Sequence, residues 1–505
     1  MPLCVSIARS HPSRMRAEHA VLAEAGAKLV ELRLDWLKGP VDVAALIADR
    51  PTPVVLTCRR REDGGRWSGT EEARLALLRQ AILAEPEFVD LEGDVAPKVP
   101  RFGKAKRVVS HHDMKATPDA KALAKLYKQL AAADADVVKL VTTAESIADN
   151  ARVLSLYATA TKPTVAFCMG EFGLASRVMC CAKGAPWTYA SFSAERTIAP
   201  GLPDFATMRT AYRAHRVKKT TQFFGVLGDP VAHSLSPQLH NAAFREAGFD
   251  GCYLPVRVTA EEFPTALPAL AAMGFEGFSV TIPHKAAALA LASGGKNSAT
   301  DAARRIGAAN TLTVTGAKES APVWHAANTD HDAALGSLLA EMRRADKHAT
   351  LTGRKVLVLG SGGVARAVVA ALTGAGCAVT VAGRTEKKAR ALVDEFGGVV
   401  QTWPNRGTGI FEIIVNGTPV GMWPKMDESP LPENRFPPQA IVFDTIYNPN
   451  RTLFLKQAAE RDCRIVGGAD MFVRQAEAQY ALFTGSPAPE GVMREALQQA
   501  MAVAK

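Results

Sequence analysis

The first half of the chain alternates short apolar runs with longer amphipathic stretches. Stretches such as 119–133 carry apolar residues at helical spacing, which predicts helices between strands. The apolar runs, each of strand length, lie at 3–8, 28–34, 53–58, 87–91, 107–111, 136–141, 164–169 and 187–192. Eight strands, each followed by a helix, predict a closed (β/α)8 TIM barrel over 1–217. Its last helix is predicted at about 204–217 and a linker at 218–222.

The second half begins with a new apolar run and has a different rhythm. An α/β unit is predicted over 222–335, completed by a helical segment at about 469–505. A doubly wound Rossmann domain is predicted over 345–468. The whole chain is therefore predicted to be α/β: a barrel followed by a two-domain unit.

Composition narrows the class of protein. The 505 residues are 48% hydrophobic and 22% charged, values typical of two or three globular domains. No apolar run reaches the roughly 18 residues that span a bilayer, and the chain enters a strand too early for a signal peptide. The eight cysteines form no C-x-x-C pair, which indicates reduced thiols in the cytoplasm and no zinc site.

The net charge of +10 favours small anionic substrates as partners. Basic residues are spread along the chain and aromatic residues are few, so neither nucleic acid nor a membrane is expected as a partner. The sequence leaves the oligomeric state open.

One loop has the pattern of a dinucleotide-binding turn. The segment GSGGVA at 360–365 fits G-x-G-x-x-G/A between the apolar run KVLVLG and an alanine-rich helix. Its glycines let backbone N–H groups approach a pyrophosphate. The next predicted strand ends at Arg384 and Thr385, with Lys388 beyond, where a site for NAD usually has a carboxylate. Cations there suit a 2′-phosphate, so the predicted cofactor is NADP.

Charged side chains follow the predicted barrel strands, at the end of a TIM barrel where catalysis takes place. Lys139 lies inside a valine-rich run, so it must be paired or desolvated, and desolvation makes an amine more nucleophilic toward carbonyls. A nucleophilic lysine with a histidine and several arginines points to imine chemistry on an anionic keto substrate. The residues at the strand ends are Glu31, Arg33, Arg59, His111, His112, Lys139 and Arg177.

The segments VELRLD, TCR, VSHHD and VVKLV resemble type I 3-dehydroquinate dehydratase over residues 1–217. The resemblance implies a Schiff base between Lys139 and the substrate ketone. It implies that His112, with His111 as the rival, removes a proton and later protonates the departing hydroxyl. Glu31 is implied to orient and tune His112. The further implied substrate contacts are Ser6, Arg33, Arg59 and Arg177.

The loop after the eighth strand departs from that family. Ser-Ala-Pro-Gly-Gln is usual there, and this chain has Ile198 and Leu202 at the two polar positions. Weaker substrate binding is therefore expected, unless Thr197 replaces one contact.

A second group of polar residues follows the linker. Ser234 and Ser236 lie on a turn before a helix, where they could equally cap that helix. Lys285 and Asp330 lie at neighbouring strand ends. An ammonium and a carboxylate stabilise each other's charge, and beside a nicotinamide they can move the proton that accompanies hydride transfer.

With GSGGVAR, AGRT, VNGTPVGM, DTIYNP and GADMFVRQA, these residues resemble shikimate dehydrogenase over 222–505. The resemblance implies that Lys285 and Asp330 are catalytic. The implied substrate contacts are Ser234, Ser236, Thr281, Asn310, Tyr447 and Gln475. The implied cofactor contacts are Gly360, Ser361, Gly362, Gly363, Val364, Arg384, Thr385, Lys388, Ile446, Gly468 and Met471. Ser279, Gly383 and His331 differ from the commoner bacterial pattern.

The two resemblances imply consecutive reactions: dehydration of 3-dehydroquinate to 3-dehydroshikimate, then reduction by NADPH to shikimate. Three alternatives stay open from the sequence. The reductase half could use NAD and act on quinate, the fused chain could be a catalytically silent metabolite sensor, or Ile198 and Leu202 could impair the barrel alone. A silent sensor is disfavoured, because the chain retains the residues to which the resemblances assign the chemistry: Lys139, His112, Lys285 and Asp330.

Overall fold

The computed structural model of the protein describes residues 2–316, 322–423 and 425–503. The chain divides into two compact units. Unit 1 runs to Pro237 and includes Asp250–Phe275, and unit 2 comprises Gln238–Phe249 and Glu276–Lys505. Among the helices so described, none is long and apolar enough to cross a membrane.

Unit 1 contains the predicted barrel, and all eight predicted strands are present. The strands are parallel, in the order β7-β6-β5-β4-β3-β2-β1-β8, which gives a nearly closed TIM-like barrel. They are rich in valine, leucine and isoleucine because side chains on both faces are buried. Their bounds are β1 Leu3–Ile7, β2 Leu29–Arg33, β3 Val54–Thr57, β4 Phe88–Glu92, β5 Lys106–His112, β6 Val137–Thr143, β7 Thr164–Met169 and β8 Thr188–Ser191.

Helices follow most of the strands, and several begin at a side-chain cap. Asp42, Thr70 and Asp119 each accept a hydrogen bond from the backbone N–H three residues on. The α-helices are α1 Pro12–Glu24, α2 Val43–Ile47, α3 Glu71–Leu83, α4 Ala120–Ala132, α5 Ile147–Ser155 and α6 Leu174–Met179. Short 3-10 turns occupy Leu34–Trp36, Ala96–Lys98, Leu156–Ala158, Ala194–Arg196 and Ala214–Arg216.

The predicted continuous helix at 204–217 is wrong. A π-helical turn covers Thr207–Ala211, and the 3-10 turn follows it only after a break. Arg213 causes the break, because its φ of +51° lies in the left-handed region that ends a right-handed helix.

Unit 1 also includes the start of the second half. Strands β9 (Gln222–Gly228) and β10 (Gly251–Arg257) pair in parallel. Helix α8 (Phe263–Met273) follows β10. Helix α7 (Ser236–Glu246) follows β9, and its residues from Gln238 onward belong to unit 2. Helix α8 packs on α5 and β10 packs on α6, so this segment is built onto the barrel.

Unit 2 begins with a small mixed sheet. Strand β13 pairs antiparallel with β11 and β14, and β12 pairs parallel with β14. The strands are β11 Phe275–Val280, β12 Ser298–Ala299, β13 Thr311–Thr315 and β14 Val323–Ala327. The helices are α9 Lys285–Leu291, α10 Asp301–Ile306 and α11 Asp330–Ala345.

The rest of unit 2 contains the predicted Rossmann domain and the predicted closing helical segment. Six parallel strands have the order β17-β16-β15-β18-β19-β20, the doubly wound arrangement that binds dinucleotides at its switch point. The strands are β15 Lys355–Leu359, β16 Ala378–Gly383, β17 Val399–Thr402, β18 Ile413–Asn416, β19 Ile441–Asp444 and β20 Arg464–Val466. The helices are α12 Gly363–Gly374, α13 Glu386–Phe396, α14 Leu453–Glu460, α15 Gly468–Thr484 and α16 Val492–Val503, with 3-10 turns at Trp403–Asn405 and Glu433–Arg435.

Buried aliphatic side chains of β15, β16 and α12 form the core of this domain. Helix α15, which belongs to the predicted closing segment, packs on α11 and β13. The division of the second half at about residues 335 and 468 stays a prediction.

Candidate active sites

The amine of Lys139 lies inside the barrel between two carboxylates. The residue is 4% exposed, and its Nζ is 3.3 Å from Oε1 of Glu31 and 3.1 Å from Oδ2 of Asp90. It also lies 4.2 Å from the centroid of the Tyr189 ring. The sequence required this lysine to be paired or desolvated, and the structure shows that it is both.

Asp90 and Glu92 hold the buried cations of this network. The Nη2 atom of Arg59 and the Oγ atom of Ser110 each donate to Asp90 at 2.6 Å, and Nη1 of Arg59 donates to Glu92 at 2.9 Å. Burial raises the pKa of Asp90, but the charges of Arg59 and Lys139 outweigh it and hold the pKa far below its usual range. Arg59 is therefore fully engaged by protein carboxylates, although it lines the cavity described below.

Sequence reasoning missed these two carboxylates. They alternate along the motif FVDLE of β4, so both side chains point into the barrel. Two acidic residues at this spacing in an otherwise apolar strand were the available signal.

Glu31 contacts Lys139 and two hydroxyls. Ser6 donates to it at 2.7 Å and Thr57 at 3.1 Å. Burial raises its pKa, but the charges of Lys139 and Arg33 prevail and keep the pKa below its ordinary value. The expected contact of Glu31 with His112 is not found among the hydrogen bonds of the described residues. Glu31 faces the lysine instead.

His112 lies at the end of β5 and lines the same cavity. Its Nδ1 is buried and has no hydrogen-bond partner within the described part of the chain. Burial, together with the charges of Arg59 and Lys139, lowers the pKa of His112 well below its usual range. The ring is therefore neutral and can accept a proton. The neighbouring His111 is not in the cavity lining.

Arg33 and Arg177 differ in their pairing. Arg33 forms two hydrogen bonds with Asp35, at 2.9 and 2.8 Å. Arg177 is 2% exposed, and its Nε and Nη2 have no partner among the residues the structure describes. Burial lowers the pKa of Arg177 to about 10. Its guanidinium carbon lies 4.3 Å from the ring centroid of Phe167, so the group is oriented but not neutralised. A buried, unpaired guanidinium is suited to bind a carboxylate.

A cavity of about 550 Å³, open to solvent, brings these groups together. Leu202 and Ile198 form part of its lining, so the departure from the family pattern lies at the site itself. Thr197 is exposed, is not in the lining, and donates to the carbonyl of Ala199 at 2.8 Å. It does not replace the missing polar contacts in this structure. The residues that share the lining include Ser6, Glu31, Arg33, Arg59, His112, Lys139 and Arg177.

In unit 2, Lys285 and Asp330 are paired as predicted. The Nζ of Lys285, at the start of α9, is 2.5 Å from Oδ2 of Asp330, at the start of α11. Asn310 donates to the other carboxylate oxygen at 2.9 Å. The backbone N–H of Asp330 donates to Asn328 at 3.0 Å. Asp330 is 6% exposed, so its carboxylate is held by the ammonium and the amide rather than by water.

Helix α15 supplies further polar groups. The hydroxyl of Thr329, next to Asp330, donates to the carbonyl of Gln475 at 3.2 Å. The amide of Gln475 donates to the carbonyl of Phe472 at 3.0 Å, and Tyr447 stacks on the Phe472 ring with centroids 4.2 Å apart. Gln475 and Tyr447 are thus connected through Phe472.

Sequence reasoning did not single out Gln479, one turn after Gln475. Its amide donates to the carbonyl of Asn310 at 3.0 Å and accepts from Ser279 at 2.6 Å. Gln479 therefore holds the strand end that carries Asn310, and Ser279, which differs from the commoner bacterial pattern, has a structural partner.

Ser234, Ser236 and Thr281 complete the predicted substrate contacts. Ser234 and Ser236 lie in unit 1 at the start of α7, where the Ser234 hydroxyl donates to that of Ser236 at 3.2 Å. Thr281 lies in unit 2, directly after β11, and is half-buried. Within unit 1 the two serine hydroxyls are brought together.

The glycine-rich loop after β15 is shaped for close approach. Gly360 has a φ of +113°, and a Cβ there would lie 2.9 Å from the carbonyl oxygen of Gly417. A Cβ at Gly363 would lie 3.8 Å from Cδ of Lys285, so the lysine stem lies against this loop. The residues of the loop are Gly360, Ser361, Gly362, Gly363 and Val364.

The end of β16 carries the expected cations. Arg384 and Lys388 are exposed, as is Thr385 between them, and no ion pair of the described residues involves either cation. A Cβ at Gly383 would lie 3.1 Å from Oγ of Ser361, so a side chain there would require the Ser361 hydroxyl to move by a few tenths of an ångström. The loop and the unpaired cations fit a dinucleotide with a 2′-phosphate.

The predicted cofactor contacts Ile446, Gly468 and Met471 lie in a closely packed region. A Cβ at Gly468 would lie 2.4 Å from the carbonyl oxygen of Ile446, and Met471 is buried one turn later. Sequence reasoning assigned no role to Asp444, which accepts from the N–H of Ile446 at 3.0 Å and from the Thr452 hydroxyl at 2.6 Å. Burial raises the pKa of Asp444 to about 6 despite these donors.

Four family models match the chain. They describe a type I 3-dehydroquinase at 3–219, a shikimate dehydrogenase substrate binding domain at 226–312, a shikimate/quinate 5-dehydrogenase at 343–407 and a shikimate 5′-dehydrogenase C-terminal domain at 468–498. A solved shikimate dehydrogenase in complex with NADP+ is 28% identical, with a TM-score of 0.51, and the match covers 56% of this chain and 97% of that one.

The chain is similar to relatives named for shikimate dehydrogenase alone and to one named for both 3-dehydroquinate dehydratase and shikimate dehydrogenase. The chain is 38% identical over 292 residues to the shikimate dehydrogenase (NADP(+)) of Microcystis aeruginosa, covering 55% of this chain and 96% of the relative. It is 33% identical over 507 residues to the chloroplastic bifunctional 3-dehydroquinate dehydratase/shikimate dehydrogenase of Arabidopsis thaliana, covering 97% of this chain and 83% of the relative. Because that similarity spans both halves, the chain belongs to the family of bifunctional 3-dehydroquinate dehydratase/shikimate dehydrogenases.

Proposed function

We propose that Lys139 is the nucleophile of the dehydratase reaction. The Lys139 ammonium first gives one proton to solvent, and the free amine then attacks the ketone carbon of 3-dehydroquinate. A proton is taken back when the hydroxyl of this adduct leaves as water, which produces an iminium at Nζ. Glu31 and Asp90, at 3.3 and 3.1 Å, face the positive charge of the ammonium before that proton is lost and the charge of the iminium after it forms. The two carboxylates therefore stabilise the charged intermediate without rearranging.

His112 is proposed as the base of the elimination. The iminium acidifies the neighbouring carbon, and the unpartnered Nδ1 of His112 takes its proton. The C–H electron pair forms the new double bond, and the hydroxyl leaves with the proton that the imidazolium returns. Water then hydrolyses the imine, which releases 3-dehydroshikimate and the amine. Arg177 is proposed to bind the substrate carboxylate, beside Ser6, Arg33 and Arg59 in the same cavity.

The second reaction uses Lys285 and Asp330. NADPH, when bound, supplies the hydride that reduces the ketone of 3-dehydroshikimate. Lys285 donates the accompanying proton to the developing alkoxide, and Asp330, whose Oδ2 is 2.5 Å from Nζ, holds the lysine side chain in place. Asn310 fixes the carboxylate from its other oxygen.

The residues that hold the cofactor and the second substrate are likewise proposed. The cofactor contacts are Gly360, Ser361, Gly362, Gly363, Val364, Arg384, Thr385, Lys388, Ile446, Gly468 and Met471. The substrate contacts are Ser234, Ser236, Thr281, Asn310, Tyr447 and Gln475. The cytoplasmic location stays a prediction from the sequence.

One observation supports the proposal above all others: Lys139, His112 and the unpaired Arg177 line one cavity. Incubation with 3-dehydroquinate followed by borohydride should add the mass of the reduced adduct to the peptide that contains Lys139. The adduct should be absent from Lys139→Ala and present in Lys128→Ala, an exposed lysine on α4. An adduct that survives Lys139→Ala would reject the lysine's role.

Arg177→Met should separate binding from stability. Loss of the carboxylate partner should lower kcat/KM for 3-dehydroquinate about 30-fold or more, because truncating one member of a buried charge pair costs about 2–5 kcal/mol. The free protein should unfold at the same or a higher temperature, because an uncompensated buried charge is removed. Calorimetry and initial rates measure the two effects. A less stable variant with normal kinetics would contradict the assignment.

Lys285→Ala should lower kcat for shikimate oxidation by about 100-fold or more, the range of general acid–base catalysis. The Kd of NADP+ should change little, since only the lysine stem lies against the loop. The dehydratase activity of the same preparation is an internal control for folding. An unchanged kcat would show that another group moves the proton.

Arg384→Ala should raise KM for NADP+ by about 10-fold or more, because a charge-assisted contact with the 2′-phosphate is lost. KM for NAD+ should stay close to its original value. Arg390→Ala, which removes an exposed arginine of α13 paired with Glu386, is the matched control. Equal losses with both cofactors would show that Arg384 does not read the phosphate.

A further inference from the structure

Arg257, the last residue of β10, contacts two loops at once. Its Nε donates to Oδ1 of Asp229 at 2.9 Å, and its Nη1 forms an ion pair with Glu171. Its guanidinium carbon lies 5.0 Å from the ring centroid of Phe172. All of these residues belong to unit 1, and the two reactions proposed above use none of them.

The acidic partner Glu171 lies in the loop between β7 and α6, which borders the barrel cavity. The backbone N–H of Gly170 donates to the carbonyl of Pro200 at 3.1 Å, and a Cβ at Gly201 would lie 2.2 Å from the carbonyl oxygen of Gly170. This loop is therefore in close contact with the segment that lines the cavity through Ile198 and Leu202.

The same loop leads into α6, which carries Arg177 in its second turn. The side chain of Asn150, on α5, holds this loop and the start of α6 through two hydrogen bonds. Its amide N–H donates to the carbonyl of Phe172 at 2.9 Å, and its amide oxygen accepts from the N–H of Ser176 at 3.2 Å. Helix α5 in turn packs on α8 of the second half. A displacement of the loop would thus reach the guanidinium that is proposed to bind the substrate carboxylate.

The other partner, Asp229, directly follows β9 and begins the loop that ends at Ser234 and Ser236. Its side chain is 27% exposed, that of Arg257 is 33% exposed and that of Glu171 is 73% exposed. An ion pair with this exposure is weak, so its effect on either loop is modest. It nevertheless joins a loop of the barrel site to the serine-bearing loop through one planar guanidinium.

We propose that Arg257 is a positioning residue that couples the two substrate sites. This inference rests on the proposed function, because it takes Ser234 and Ser236 as substrate contacts. Substrate on the serine-bearing loop changes the position of Asp229, and Arg257 carries that change to the loop between β7 and α6. By linkage, a ligand of the barrel site then alters binding at the serine-bearing loop by the same factor.

The coupling can be measured on the full chain without NADP, so that shikimate binds but does not react. Calorimetric titration gives the shikimate concentration that saturates the chain. Initial rates of 3-dehydroquinate dehydration are then compared without and with this shikimate. In the natural sequence we expect kcat/KM to change by about 2- to 5-fold, as befits coupling through an exposed ion pair.

Glu171→Gln removes one charge from the bridge at an exposed position and should leave the basal dehydratase kcat/KM close to normal. It should abolish the effect of shikimate, as should Arg257→Gln. Arg101→Gln, which breaks an exposed ion pair with Asp134 elsewhere on the barrel, is the matched control and should keep the effect.

The outcomes separate the inference from the function on which it rests. If shikimate fails to bind, binds without changing the dehydratase kcat/KM, or acts equally on Glu171→Gln, the coupling is rejected. The last result would show competition at the barrel cavity itself. If Ser236→Ala leaves the Kd of shikimate unchanged, the serine assignment fails and the coupling fails with it. If Ser236→Ala weakens binding but the natural sequence shows no effect, only the coupling is rejected.

Discussion

The barrel site depends on keeping a charged amine inside a protein core. Desolvating an ammonium is expensive unless carboxylates and hydrogen bonds surround it. Lys139 meets this requirement with Glu31 on one side and Asp90 on the other. Asp90 forms a second ion pair with Arg59, and Arg59 is also paired with Glu92. These residues come from β2, β4, β6 and the end of β3, so the ion pairs of the site also connect strands of the barrel.

One arginine of the cavity lining, Arg177, has donors without a hydrogen-bond partner among the described residues. Arg33 is matched by Asp35, whereas Arg177 faces the cavity with unpaired donors. The contrast supports the proposal that Arg177 is the residue that binds the substrate carboxylate. In the second half a single lysine–carboxylate pair is held by Asn310, an arrangement that suits the proton transfer proposed for it.

The sequence predicted the architecture well because period-2 and helical patterns report burial directly. All eight barrel strands were located, and the parallel Rossmann order followed from the glycine-rich turn and its flanking strands. The helix at 204–217 was wrong because a left-handed residue at Arg213 leaves no trace in periodicity. Motifs singled out Lys139 and Lys285, whose catalytic roles stay predictions, but they did not show that Glu31 faces the lysine instead of His112. Which of several neighbouring groups becomes the partner depends on side-chain directions that only the assembled barrel fixes.

The close approach of Gly383 to Ser361 has an evolutionary consequence. A Cβ at position 383 would lie 3.1 Å from the Ser361 hydroxyl, a contact that a small rotation of this side chain relieves. Substitutions at 383 are therefore expected to be only weakly coupled to the residue at 361. The cofactor pocket of this lineage can then gain a side chain at 383 without a prior change at 361.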